Sequence, residues 1–245
     1  MKRTAFALTL AALPFTAISA HANEDDSAFV EANVIGIFYH ELAHALIDIE
    51  EVPIFGQEED AADVFSILMI HALFEEEVAQ ELAYEAAWGF IGEAQMREGG
   101  TDDIAWWDTH GPDEQRFYNT ICIFYGANPD ARADFAAEFE LPEERADYCP
   151  LEYEQAEGSW GAVLDELAER GGGDSIRFQG TPDSFSGEVI AAEVAALNEQ
   201  ITLSAPLTVV EESCGEANAF YDPETREVIF CSEFEEHLVE MEGQL

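Results

Sequence analysis

Apolar residues recur at helical spacing between residues 27 and 50, through Val30, Val34, Ile37, Phe38 and Leu42. This pattern predicts a helix, with Asp26 or Ser27 as its cap. The stretch Glu50–Gly56 breaks it, punctuated by Pro53 and Gly56. A second helix starts near Glu58 and runs through Ala61, Phe65 and Leu68 toward Phe74. A third, rich in Ala, covers roughly Glu75–Arg97 and stops at Gly99-Gly100. Further helical patterns occupy about 113–125, closed by Gly126 and Pro129, and then 130–140, 152–170 and 187–200. The tail changes character. Leu207–Glu212 and Glu227–Cys231 are rich in β-formers, with Asp222-Pro223-Glu224-Thr225 as a turn between strand-like segments. The expected fold is therefore α+β, mostly helical, with a small sheet that includes a C-terminal hairpin. Gly171-Gly172-Gly173 reads as a short flexible hinge within one domain, not as a boundary.

The start of the chain stands apart from this pattern. Lys2 and Arg3 precede an apolar run, Ala5–Ile18, and then Ala20-His21-Ala22. A charged start, an apolar middle and a small-x-small site mark a secretory signal peptide, here residues 1–22, leaving a mature domain of 23–245. The run is too short for a membrane span and no later segment qualifies, so the expected location is periplasmic or secreted. Four cysteines agree with an oxidising compartment. Four allow three pairings, of which the local one, Cys122–Cys149 with Cys214–Cys231, is preferred. Beyond Lys2 and Arg3 the chain has seven Arg and no Lys against 53 carboxylates, a net charge of −46. Such a surface repels nucleic acid and anionic membranes. It serves solubility, or else a preference for basic peptides or calcium. No calcium loop of the D-x-D-x-D-G kind is present.

The chemistry concentrates in His40-Glu41-Leu42-Ala43-His44. Two histidines four apart on a helix project from one face, and neutral imidazoles suit Zn2+. Two of them leave room for a third protein ligand and a water, whose proton Glu41 would take as that water attacks a peptide carbonyl. On the second helix Glu59 and Asp63 are also four apart and share a face. The intervening turn lets that helix fold back, so Glu59 becomes the candidate third ligand. Asp63 would accept from the far nitrogen of a ligating histidine, His40 first, and fix its tautomer. Glu58, Asp60 and Asp48 are competing oxygens, and Asp48 is also a candidate partner for a ligand.

Phe38-Tyr39-His40-Glu41-Leu42-Ala43-His44-Ala45-Leu46-Ile47-Asp48, followed by Gly56-Gln57-Glu58-Glu59-Asp60-Ala61-Ala62-Asp63, resembles a bacterial metallopeptidase family defined by a domain of unknown function. The resemblance covers most of the mature chain and implies a zinc peptidase with a peptide or protein substrate. Three shorter segments are similar to the neprilysin family of gluzincins, and they imply a zincin-like fold. The first is His40-Glu41-x-x-His44 with Glu59-x-x-Ala62-Asp63. The second is Asp108-Thr109-His110-Gly111-Pro112, continuing to Arg116. There the resemblance implies that His110 stabilises the oxyanion, Asp108 orients it, and Arg116 holds a substrate carbonyl. The third is Asn218-Ala219-Phe220-Tyr221-Asp222-Pro223, which implies that Asn218 and Ala219 bind substrate backbone on an edge strand. The order departs from the neprilysin pattern, where this strand precedes the zinc helix; here it follows by more than 170 residues. A permuted arrangement is implied, in which the C-terminal strand returns beside the zinc helix.

Other conspicuous residues invite structural readings. His71 sits in an apolar run and is expected in the core, His237 on the surface, Trp106-Trp107 in the core or a pocket wall, and Tyr118 in helix packing. The leading expectation is an exported zinc metallopeptidase. Its rivals are a non-catalytic exported protein that keeps the metal site, and an acidic adaptor without metal.

Overall fold

The computed structural model describes residues 28–245, so the expected signal peptide and the caps Asp26 and Ser27 lie outside the described residues. The chain runs through α1 (Ala28–Ile49), α2 (Glu58–Leu73), α3 (Glu76–Met96), a 3-10 turn (Gly100–Asp103) and α4 (Asp113–Ala127). It continues with α5 (Ala133–Glu138), α6 (Glu143–Ala146), α7 (Cys149–Arg170), β1 (Ile176–Gln179) and α8 (Phe185–Gln200). It ends with β2 (Leu207–Glu212), β3 (Ala219–Asp222), β4 (Glu227–Cys231) and α9 (Glu233–Glu242). The protein is α+β and mostly helical, with a four-stranded sheet.

Helix α1 is apolar around most of its circumference, and a helix of that kind must be covered on several sides. Phe38, Tyr39, Leu42, Ala43 and Leu46 are fully buried, and α2, α3, α8, α9, β3 and β4 all pack on α1. Thus the helix that carries both candidate histidines is also the central post of the core. The turn at Val52–Gln57 sends α2 back along it, as Pro53 and Gly56 require.

The sheet order is β1-β2-β4-β3. β1, β2 and β4 are mutually parallel, and β3 pairs antiparallel with β4 as one edge. Helix α8 makes the crossover between β1 and β2, the usual cost of parallel pairing. β3 packs along α1, and Tyr221 at its end donates to Asp48 Oδ2 on the last turn of that helix at 2.8 Å. The C-terminal hairpin therefore returns beside α1.

Both local disulfides form. Cys122–Cys149 joins α4 to the start of α7, and Cys214–Cys231 joins the approach of β3 to the end of β4. Arg132 is fully buried. It donates to Glu76 and to the Phe124 carbonyl, and lies over the Phe124 ring. His71 Nδ1 sits 3.0 Å from the same guanidinium, half-buried at the rim of this cluster.

Two expectations are corrected. Trp106 and Trp107 are neither core nor pocket wall: they are 76% and 85% exposed. The short connection between the 3-10 turn and α4 is taken up with delivering residues 108–112, so the indoles are left outside. Gly171–Gly173 is no loose hinge. A Cβ on Gly172 would lie 2.6 Å from the Glu199 carbonyl, and the Gly173 N–H donates to Asn198 O at 2.8 Å. The glycines serve a tight approach to the end of α8.

Inside the core the Tyr39 hydroxyl donates to Glu193, a buried carboxyl that burial pushes up in pKa. A raised folded-state pKa contributes stability below the unfolded value of about 4.3, and loses it as pH rises through the folded value. Glu193→Gln keeps an acceptor and removes the ionisation. We expect its Tm to exceed wild type by about 2–4 °C near pH 8, roughly 1 kcal/mol, with a smaller gain near pH 4. Calorimetry at the two pH values checks this, and an equal shift at both contradicts it.

Candidate metal centre

Helix geometry sets the stage. Along α1, Asn33, Gly36, Ile37, His40, Glu41, His44, Ile47 and Asp48 follow the i, i+3, i+4 rhythm and form one wall of a cleft of about 830 Å³. α2 forms a second wall with Glu59 and Asp63, again four apart. The loop before α4 brings in His110, and the start of β3 closes the cleft with Asn218 and Ala219.

The donors converge at one point. His40 Nε2 and His44 Nε2 are 3.2 Å apart, and each is 3.1 Å from Glu59 Oε2. His110 Nε2 lies 2.9 Å from the same oxygen. His40, Glu59 and His110 form a group whose ligand atoms lie within 4.8 Å of one another, the spacing of a site able to hold a metal ion. The fit can be tested by geometry. An ion with bonds of about 2.0–2.1 Å in tetrahedral arrangement separates its ligands by about 3.3 Å. The triangle His40–His44–Glu59 has edges within about 0.2 Å of that value, so these three atoms match one face of such a tetrahedron. Two imidazole nitrogens at 3.2 Å also cannot both carry protons without repulsion, and a shared cation relieves this.

Partners behind the donors fix their orientation. Asp63 Oδ1 is 2.8 Å from His40 Nδ1, and Glu58 Oε1 is 2.8 Å from His44 Nδ1. With the Nδ1 atoms engaged there, both Nε2 atoms face the cleft, where a bound cation would take the place of their protons. Arg116 donates to both oxygens of Asp63 at 2.8 Å and lies over the Phe90 ring. Burial pushes Asp63 up, but the Arg116 guanidinium and the His40 N–H outweigh it and hold the carboxyl well below the usual range. His40 is lowered by burial, yet its bonds to Asp63 and Glu59 prevail and its pKa stands at about 9. Glu59 is raised by burial and lowered much further by His110, His40 and His44, so it stays ionised. Glu41 behaves differently. It is 7% exposed, and burial raises its pKa. Burial thus makes this carboxylate more ready to accept a proton than an exposed one.

Of the remaining expected residues, Asp108 Oδ1 accepts from the His110 backbone N–H at 3.1 Å and lies 3.7 Å from its Nδ1. Asn218 accepts from the Ala219 N–H at 2.9 Å through its side chain, and its carbonyl accepts from Cys231 N. Asp48 is occupied by Tyr221, and Asp60 stands beside Asp63 and Arg116. Sequence reasoning missed Glu58 as the partner of His44. The signal was present: Glu58 opens α2 directly before Glu59, on the side of the helix that meets the end of α1.

A family model described as "Putative metallopeptidase", a domain of unknown function, matches residues 10–164 and 185–244. The chain belongs to this family. Membership points to a metal-dependent peptidase with a peptide substrate, and the family's metal finds a matching donor set in the cleft. No curated protein and no solved structure matches the chain.

Loss of a partner behind a metal-bound imidazole typically costs 10–100-fold in metal affinity. Asp63→Asn is expected to weaken divalent-metal binding by about that factor, with the fold intact by circular dichroism. Competition against a chromogenic chelator measures it, and unchanged affinity contradicts the role given to Asp63.

Proposed function

We propose that the chain is an exported zinc-dependent peptidase, with residues 1–22 as signal peptide and 23–245 as one zincin-like domain of gluzincin type. The observation that carries this reading is the triangle of His40 Nε2, His44 Nε2 and Glu59 Oε2 with edges of 3.1–3.2 Å. Two nitrogens and one oxygen form the His2Glu donor set of catalytic zinc sites. The two disulfides are compatible with export, and no described helix is long and apolar enough to cross a membrane.

His40, His44 and Glu59 would hold the ion. Zinc supplies Lewis-acid activation of water and of the peptide carbonyl. Glu41, buried beside it, takes the proton of the attacking water on its carboxylate and passes it to the leaving amine. His110 donates from Nε2 to the developing oxyanion, and Asp108 holds the loop that presents it. Arg116 keeps Asp63 ionised, and Asp63 keeps the proton of His40 on Nδ1. Arg116 also lines the cleft, where the neprilysin-like segment has it hold a substrate carbonyl. The start of β3, at Asn218 and Ala219, offers backbone groups to an extended substrate.

One observation favours a second reading. His110 Nε2 approaches Glu59 as closely as the other two rings do. As a fourth ligand it would close the site and make the protein a non-catalytic zinc binder. The two readings diverge in one variant. For a peptidase, His110→Ala retains zinc and loses about 10²–10³-fold in kcat/KM, the value of an oxyanion donor. For a closed site, the same variant loses zinc affinity. Glu41→Gln gives the companion test: zinc retained by metal analysis, and cleavage of a peptide library reduced about 10²–10⁴-fold. Equal cleavage by this variant would remove Glu41 from the mechanism.

A further inference from the structure

The cleft does not end at the metal centre. It continues along α1 from Glu41 back to Asn33, about 10 Å from the His40 turn at the rise of a helix. Its walls there are apolar: Ile37 on α1, Phe90 on α3, Leu238 and Met241 on α9. Two polar groups stand at the far end. Glu93 on α3 lines it, with one carboxylate oxygen 2.8 Å from His237 Nε2. Asn33 is 7% exposed, and its amide is fixed by two donations, to Phe29 O at 2.8 Å and Glu85 O at 3.2 Å. Both N–H groups being used, the amide oxygen faces the other way, against Gly89 on the groove wall. A Cβ on Gly89 would come within 1.9 Å of it, so the glycine makes room for this oxygen. No described residue donates to it. The oxygen opens onto the groove, where a donor from a ligand can reach it.

The electrostatics select the kind of donor. Arg116 is the one Lys or Arg side chain on the cleft lining, and it is committed to Asp63. The carboxylates Asp48, Glu58 and Glu93 line the same cleft, within a chain of net charge −44. At the far end an anionic ligand would face Glu93, whereas a cation would find the Asn33 oxygen, which abuts Gly89, and the Glu93 carboxylate one turn further along the same face of α3.

We propose that the far end of this groove is a subsite for a cationic group of the substrate, the α-ammonium of a peptide or the head of a Lys or Arg side chain, held by Asn33 Oδ1 and the Glu93 carboxylate. The apolar walls pack the chain that leads to it. The proposal rests on the peptidase reading of the metal end, and it sets the substrate class as cationic peptides.

The test separates the two. Binding of C-terminally labelled octapeptides to zinc-loaded Glu41→Gln protein is measured by fluorescence anisotropy. Four peptides combine a free or acetylated N-terminus with Lys or norleucine. Removing the cation that occupies the subsite should weaken binding about tenfold, the worth of a charge-assisted hydrogen bond. Which substitution has the effect tells the α-ammonium from the side chain. Adding Glu93→Gln should shrink the difference to about twofold or less, and the difference should survive about 0.5 M salt, where the screening length falls to about 4 Å. Equal binding of all four peptides overturns the proposal. So does discrimination that salt abolishes and Glu93→Gln leaves alone, since that would be the field of the whole protein. If wild-type protein cleaves none of the peptides while discrimination in binding persists, the hydrolase reading falls and the subsite stands.

Discussion

One carboxylate oxygen, Glu59 Oε2, sits within 3.1 Å of three imidazole nitrogens that come from a helix and a loop. Bringing these groups out of water is unfavourable for each of them alone. Burial penalises a charged imidazole and a charged carboxylate alike, and only their mutual attraction and the bonds behind them offset it. The surrounding architecture follows from that requirement. α2 must fold back on α1 to deliver Glu59, Asp63 must stand behind His40, and Arg116 must cross from α4 to keep Asp63 charged. The chain of contacts Arg116–Asp63–His40 joins three helices before it reaches the point of convergence.

The second constraint is the return of the C-terminal hairpin. A parallel sheet needs its crossover helix, and its antiparallel edge must then be placed against α1 rather than left to pair at random. Three devices hold it. Tyr221 bonds Asp48 at the end of α1. The Cys214–Cys231 disulfide ties the approach of β3 to β4. The Glu233 carboxylate accepts from Ser213 Oγ and from the backbone N–H groups of Cys214 and Gly215, and these bonds lower its pKa to about 2. The loop that leads to Asn218 is thus fixed on the rim of the cleft, more than 170 residues after the helix it serves.

Much of this was legible in the residues because the signals were local. The α1 stripe, the Pro53–Gly56 break, the ends of β2 and β4 and both disulfide pairs follow from spacing and turn chemistry. The convergence of His40, His44 and Glu59 was legible for the same reason, as two i, i+4 pairs on helices joined by a short turn. What escaped depends on distant packing. β1 is four residues long, and its strand character comes from pairing with β2 across α8. α9 is so acidic that its helical face rests on Leu238 and Met241, which gain meaning only against α1 and α3. Trp106 and Trp107 looked like core by their size, but their loop is spent on placing His110. The groove toward Asn33 is built from three helices, and no local pattern announces it.

The central claim is that two imidazoles and one carboxylate share a zinc ion and leave a position open. Zinc K-edge X-ray absorption of the purified protein tests it most directly. The account predicts a first shell of nitrogen and oxygen at about 2.0–2.1 Å, with the outer scattering of two imidazoles and no sulfur. A shell with one imidazole or none, or zinc held by sulfur, would contradict it.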